Sequence, residues 1–554
     1  MSDQHRPAGL PATIPPSLSD AAQDHLQRVC AICPPLAADA ARADLARRVF
    51  AASPFAARCC LQQPGLLDEL LGGDLERSYA DGELHAAAVA ALAACDGAEG
   101  GGGDDESLMR ALRRLRSREM LRIAWRDLAG AADIDETLRD LSQLAEACIA
   151  ATLDVVQRGF VARFGRPRSA DGEAQSLVVL GMGKLGGLEL NFSSDIDLIF
   201  AFPESGQTDG PKVVDNTQYF TRVGQRLIKL LHEPTGDGFV FRVDMRLRPF
   251  GNSGPLALSY DALETYYLTQ GREWERYAMI KARPVAGDEA AAAQLNALLR
   301  PFVFRRYLDY GAFESLRELK AMIAAQVARK GMRDNVKLGP GGIREIEFIG
   351  QAFQLVRGGR EPELQIRGIR SVLASLGEAG YLPASDVVEL RAAYDFLRRV
   401  ENRLQMVADQ QTHSLPDDDE GRARLAFAMG YPEWEAFLPE LEAHRARVQG
   451  HFEEVFAAPG DADDSAPADP CAALWHSELD AETLAPQLAA LGFGDVQPLA
   501  ARLTELRTGR LYQALTSRAR QRLDQLLPQV LRAALESGRA AADADVDANG
   551  DGDG

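Results

Sequence analysis

The spacing of apolar positions changes twice along the chain. From Leu18 to about Leu71 they recur three and four apart, the period of amphipathic helices, with breaks at Pro34-Pro35, Pro54 and Pro64. A glycine-rich loop over 97–105 follows, and helical spacing then runs from Ser107 to Phe164. Next the period shortens. Ser176-Leu-Val-Val-Leu180 is an apolar run of strand length, Asp195-Ile-Asp-Leu-Ile-Phe200 alternates, and 239–247 alternates again, so three strands are predicted, with a helix over 216–231 before the third. Beyond Asp288 long helical patterns return and continue to Phe456, interrupted at Leu338-Gly-Pro-Gly-Gly342.

These shifts divide the 554 residues into a disordered leader (1–20), an N-terminal helical region (21–125), an α/β domain (126–287) and a helical bundle domain (288–456). An Asp-, Ala- and Pro-rich linker (457–470), a small helical segment (471–537) and an acidic tail (538–554) follow. The expected class is α+β: a mostly helical chain with one α/β island.

Composition narrows the function. The hydrophobic share of 46% and charged share of 26% are those of a water-soluble globular protein. A net charge of -20 argues against non-specific nucleic-acid binding, which sets many Lys and Arg against phosphates. Of seven cysteines (Cys30, Cys33, Cys59, Cys60, Cys95, Cys148 and Cys471), Cys30-x-x-Cys33 alone has metal-like spacing, and no second pair follows it. Reduced thiols, the absence of a signal-peptide pattern at the N-terminus and of about 18 consecutive apolar residues lead to an expected cytoplasmic location without a membrane span. None of the eight histidines sits in a triad-like or metal-like pair.

The chemistry concentrates in Gly181-Met-Gly-Lys-Leu-Gly-Gly-Leu-Glu-Leu-Asn-Phe-Ser-Ser-Asp-Ile-Asp-Leu-Ile-Phe200. Side chains two apart on a strand face the same way, so Asp195 and Asp197 converge while Ile196 and Leu198 pack inward. Adjacent carboxylates repel unless a cation lies between them, and oxygen-only ligands suit Mg²⁺ or Mn²⁺. Asp244, in Arg242-Val-Asp-Met-Arg-Leu-Arg248, is the candidate third carboxylate of a metal site for phosphoryl chemistry. The glycine turn offers backbone N–H groups to a phosphate, and Lys184 adds a charge. Arg246 and Arg248 are phosphate-binding candidates within a basic cluster that includes Arg242, Arg272, Arg276, Lys281 and Arg283. Trp274 and Tyr277 read as core or as an adenine-stacking pair, and Arg344, Glu345 and Glu347 open a helix after a glycine turn.

A glycine turn, Asp-x-Asp on a strand and a distant third Asp resemble the polymerase-β-type nucleotidyltransferase superfamily. Gly183-Lys184 has the superfamily's usual spacing to the first Asp and Gly186-Gly187 lies closer, so both pairs, with Ser194, are candidates to hold the nucleotide phosphates. The full motif, together with Asp244-Met-Arg-Leu-Arg-Pro-Phe-Gly251, Gly271-Arg-Glu-Trp-Glu-Arg-Tyr277, Lys281-Ala-Arg283 and Leu338-Gly-Pro-Gly-Gly-Ile-Arg-Glu-Ile-Glu-Phe348, resembles the glutamine synthetase adenylyltransferase family over about residues 20–535. That family carries two nucleotidyltransferase copies. One removes AMP from a glutamine synthetase tyrosine by phosphorolysis to ADP, and the other attaches AMP from ATP. One copy after about 175 residues, followed by a helical segment, resembles the removing half and part of the central region. The resemblance implies Asp195, Asp197 and Asp244 as Mg²⁺ ligands and catalytic groups. It implies glutamine synthetase, the PII nitrogen-signalling protein, phosphate and ATP, ADP or AMP as partners, and neither nucleic acid nor membrane. Rival readings are adenylyl transfer from ATP and a catalytically silent docking module.

Overall fold

Acidic and hydroxyl side chains start many of the helices. Asp39, Ser53, Asp104, Asp133, Asp215, Ser259 and Asp288 each accept a hydrogen bond from a first-turn amide that the helix itself leaves unpaired. Pro16, Pro34 and Pro54 stand at the first helical position, where the missing N–H costs nothing. The computed structural model describes residues 9–95, 104–305, 332–456, 470–476, 480–515, 520, 523–524 and 526–535. The chain is mostly helical with small sheets, as the class α+β requires.

The expected disordered leader is corrected over residues 9–20. A helix spans Pro16–Cys30, Leu10, Ile14 and Leu18 are buried, and the Leu10 amide donates to the Leu128 carbonyl at 3.3 Å. The prolines there start a helix rather than prevent one, and the apolar residues between them find a core. Residues 1–8, most of the 97–105 loop, nearly all of the 457–470 linker and the 538–554 tail lie outside the described residues.

Five strands build the sheet that carries the site: β2 (Val178–Gly181), β3 (Ile196–Phe202), β5 (Val243–Asp244), β6 (Ala257–Ser259) and β7 (Arg283–Ala286). Their order is β5-β3-β2-β7, with β6 also paired to β3. β2 is antiparallel to β3 and to β7, while β5 and β6 run parallel to β3. A separate pair joins β1 (Pro167–Ser169) and β4 (Gly206–Thr208). Ile196, Leu198, Phe200 and Phe202 point into one core, which is shared with the helices Asp105–Leu128, Ile134–Phe164 and Asn216–His232. Ile199 and Ala201 point into the other, shared with Ile343–Arg357, Ala384–Met406 and Trp434–Val455. A sheet buried on both faces explains why β2 is a continuous apolar run and why β3 is apolar throughout from Leu198 to Phe202.

The third predicted strand, 239–247, is corrected to the two residues of β5. The amides of Val240 and Phe241 bond to the Leu231 carbonyl, and their side chains enter the first core. The chain then turns at Met245, whose carbonyl accepts from the Arg248 amide at 3.3 Å. Core insertion of two apolar residues therefore outweighs ladder pairing.

Residues up to Phe456 form one compact unit. The N-terminal helices reach the helix Ala384–Met406 directly. Ser53 Oγ donates to the Met406 carbonyl, and Arg403 pairs with Asp127 at 2.8 Å, both groups buried. Ala457–Gly554 forms a second unit, in which Cys471, Leu474, Trp475, Leu484, Leu488 and Leu503 make a small core. All seven cysteines are free, and burial with a hydrogen bond to Asp68 pushes the Cys33 thiol up to about 11. Among the described residues no helix is long and apolar enough to cross a membrane.

Candidate active site

Strand register brings the three acids together. Asp195 leads into β3, Asp197 lies on it, and Asp244 is the Cα partner of Asp197 across the parallel β3–β5 pair. Asp197 is on the face that continues as Ile199 and Ala201, so the acids stand where a buried strand face opens to a cavity. Burial, Asp244 and Asp195, in that order, push the Asp197 carboxyl up to about 6. The other two acids turn to arginines. Arg242 Nε donates to Asp195 Oδ1 at 2.6 Å, and Arg246 Nε donates to Asp244 Oδ2 at 2.7 Å. Burial opposes ionisation of Asp244, but the Arg246 side-chain and backbone hydrogen bonds prevail and hold its carboxyl below the usual range.

The cavity, about 490 Å³, is lined by all three acids, by Gly183, Lys184, Ser194 and Arg246, and by residues of the helical region. Gly183 has φ +51°, a conformation that favours glycine, and its neighbour Lys184 also faces the cavity. Gly186 serves another purpose: a Cβ there would sit 1.9 Å from the Lys281 carbonyl oxygen. Gly187 lies against the Glu189 and Lys281 side chains. The first glycine pair thus lines the cavity, and the second lets the turn approach the β7 edge.

The basic cluster divides in the same way. Arg246 and Lys281 line the cavity. Arg248 donates to the Met245 carbonyl at 2.7 Å, buried Arg276 donates to the carbonyls of Val303 and Leu355, and Arg283 pairs with Glu146 and donates to Gly186 O. Those three arginines hold turns and helices in place. Ser194 Oγ donates to Asn191 Oδ1 at 2.6 Å. Lys184 Nζ donates to the same oxygen at 2.8 Å and to Glu401 Oε1 at 2.7 Å, and burial pushes its ammonium down against the pull of Glu401. Lys281 bridges Glu189 and Glu347, each at 2.7 Å.

Sequence reading missed Lys337, Gln351 and Gln411 on the wall, and the buried support behind it. The helix Ala384–Met406 presents Tyr394, Arg398, Glu401, Asn402 and Gln405 at helical spacing. Asn402 Oδ1 accepts from the Phe192 amide at 3.0 Å, and Gln405 Oε1 accepts from the Ser193 amide at 2.8 Å. The signal was a polar stripe where a core stripe belongs. Trp274, with 44% of its surface exposed, and Tyr277, tilted against Phe348 with ring centroids 5.6 Å apart, both line the cavity. His451, read as solitary, lies with Asp386 and Glu454, their ligand atoms within 4.8 Å of one another. Glu454 is three residues away on the same helix, but Asp386 is on the helix Ala384–Met406, too far away in sequence for spacing to show the group.

The Asp197 carboxylate fits a hard divalent cation. Among the described residues it has neither a hydrogen-bond nor an ion-pair partner, and two acids flank it. With Asp195 and Asp244 released from their arginines, the set offers oxygen ligands alone, beside a glycine turn and a wall of cations suited to phosphate.

A family model described as Glutamate-ammonia ligase adenylyltransferase matches residues 43–298, which contain the sheet and the three acids. A second, described as GlnD PII-uridylyltransferase, matches residues 317–456. The chain is similar to the bifunctional glutamine synthetase adenylyltransferase/adenylyl-removing enzyme of Thioalkalivibrio sulfidiphilus (strain HL-EbGR7), at 55% identity over 494 residues, 88% of this chain and 50% of that one. Proteins of the same name from Nitrosococcus oceani and Pseudomonas aeruginosa are 53% and 50% identical, over 88% and 89% of this chain and 50% of each relative. The chain thus spans about half the length of the curated relatives it matches. On these matches, and on a matched region that holds the glycine turn and the three carboxylates, the chain belongs to the glutamate-ammonia ligase (glutamine synthetase) adenylyltransferase family of nucleotidyltransferases.

Proposed function

We propose that this chain removes AMP from an adenylylated tyrosine of glutamine synthetase by phosphorolysis, with Mg²⁺ held by Asp195, Asp197 and Asp244. The observation that carries the reading is the Asp197 carboxylate, without a hydrogen-bond or ion-pair partner among the described residues, between two further acids and facing a cavity walled with cations. The choice of removal over transfer rests on the order of parts: a helical region, the nucleotidyltransferase sheet, then a helical segment.

In the reaction an oxygen of orthophosphate attacks the adenylyl phosphorus. The bond from phosphorus to the tyrosine oxygen breaks, a new P–O–P bond makes ADP, and the tyrosinate takes a proton from solvent. A bound Mg²⁺ supplies charge neutralisation at the phosphates. The protein's own groups position and shield. Gly183 lets the backbone come close to a phosphate, Arg246 sits at the rim, and Trp274, Tyr277 and Phe348 keep one wall apolar. Phosphate is already anionic, so no general base is required, and catalysis comes from placement and charge.

The test is ADP formation from adenylylated glutamine synthetase with phosphate and Mg²⁺, with Asp197→Asn beside the unaltered chain. ADP that needs both phosphate and Asp197 supports the reading. AMP incorporation from ATP without ADP release would replace removal with transfer, and equal turnover in Asp197→Asn would remove the metal assignment.

A further inference from the structure

We propose that Lys337 and Arg344 form the seat of the incoming orthophosphate, a subsite distinct from the carboxylates that face the adenylyl group. This rests on the phosphorolytic reading of the cavity. The other cations at the site are already engaged: Lys184 with Glu401, Lys281 with Glu189 and Glu347, Arg242 with Asp195, and Arg246 with Asp244. Lys337 and Arg344 line the same cavity, yet among the described residues neither side chain has a hydrogen-bond or ion-pair partner. Both are partly buried. Two half-buried like charges with no ion-pair partner among the described residues cost free energy that an arriving anion recovers.

The pair is built, not draped. The Arg344 amide donates to the Lys337 carbonyl at 3.0 Å, which sets the two residues side by side. Asn335 Oδ1 accepts from the amides of Lys337 at 3.0 Å and Leu338 at 2.8 Å, and the Val336 amide donates to the His413 carbonyl at 2.8 Å. Arg445 Nε donates to Pro340 O at 3.0 Å, and a Cβ on Gly341 would lie 2.0 Å from the Arg445 carbonyl oxygen. The turn is therefore packed from both sides before any ligand arrives. Lys337 acts electrostatically on Asp197, and Arg344 on Tyr277 of the cavity wall, so both face the cavity that holds the acids.

The chemistry selects orthophosphate. An adenylyl group brings its own adenine and ribose to anchor it and carries one phosphate charge. Free phosphate has no such anchor and is largely a dianion near neutrality, so its binding depends on cations. A guanidinium offers it two parallel hydrogen bonds, and an ammonium adds a point charge.

The experiment uses the full chain with Lys337→Ala, Arg344→Ala, the double variant and Arg344→Lys. The KM for phosphate is expected to rise about tenfold or more for each alanine, as loss of one charge-assisted contact implies, with the KM for the adenylylated protein little changed. Arg344→Lys restores part of the loss. In parallel, the ³¹P line width of inorganic phosphate is followed as the chain is added. Broadening is expected for the unaltered chain and for Asp197→Asn, and is expected to vanish in the double variant, whose melting temperature is unchanged. Undiminished broadening and an unchanged phosphate KM in the double variant would overturn the proposal. So would a parallel loss of AMP binding, which would put the pair on the adenylyl phosphate. If the unaltered chain makes no ADP, the phosphorolytic reading fails, and the phosphate titration still decides whether this seat exists.

Discussion

At the residue scale the site turns on Asp197. Its carboxyl is pushed from 3.8 up to about 6, chiefly by burial and then by Asp244 and Asp195. A raised folded-state value means that its contribution to stability is complete below about pH 4 and is lost as pH rises through 6. The magnitude is on the order of 3 kcal/mol. In metal-free protein, Asp197→Asn is therefore expected to melt higher than the unaltered chain at pH 7, with the difference shrinking towards pH 4. Melting curves across that range check this, and a variant that melts lower at pH 7 would contradict it. The same substitution is expected to cut turnover by about 10²-fold or more, as for loss of other groups that stabilise transition-state charge. Added Mg²⁺ should raise the melting temperature of the unaltered chain and not that of the variant.

Elements decide how the residues are held. Glu401 is fully buried on the helix Ala384–Met406 and meets Lys184, Arg398 and His413. Glu401→Gln leaves two buried cations short of a counter-charge, so a destabilisation of about 3–5 kcal/mol is expected, measured as a fall in thermal or urea midpoint. Gly186→Ala is expected to destabilise as well, because the Cβ meets a backbone oxygen that has no room to retreat. Strand β3, the glycine turn and the three acids were legible in the sequence, because period-two spacing and short-range motifs are local. β6 and β7 were not, since three or four residues leave too little pattern. β5 was overread, because the apolar residues Val240 and Phe241 serve a core rather than a ladder. The support from Arg398, Glu401, Asn402 and Gln405 lies about 210 residues from the loop it holds, as the Phe192–Asn402 bond shows. A polar stripe on a helix shows its purpose only when its partner is in view.

Over the whole molecule, the candidate site belongs to one unit. Every residue lining the cavity falls between Gly183 and Gln411, within Met1–Phe456. A chain ending at Phe456 is expected to keep Mg²⁺-dependent turnover, and loss of turnover from such a folded fragment would show that Ala457–Gly554 contributes to the reaction. The most direct test of phosphorolysis supplies ³²P-labelled orthophosphate with adenylylated glutamine synthetase and the full chain, and follows the label. The proposed reaction places it in the β-phosphate of ADP, dependent on Mg²⁺ and on Asp197. Unlabelled AMP as the product, or AMP transferred from ATP with no labelled ADP, would contradict it.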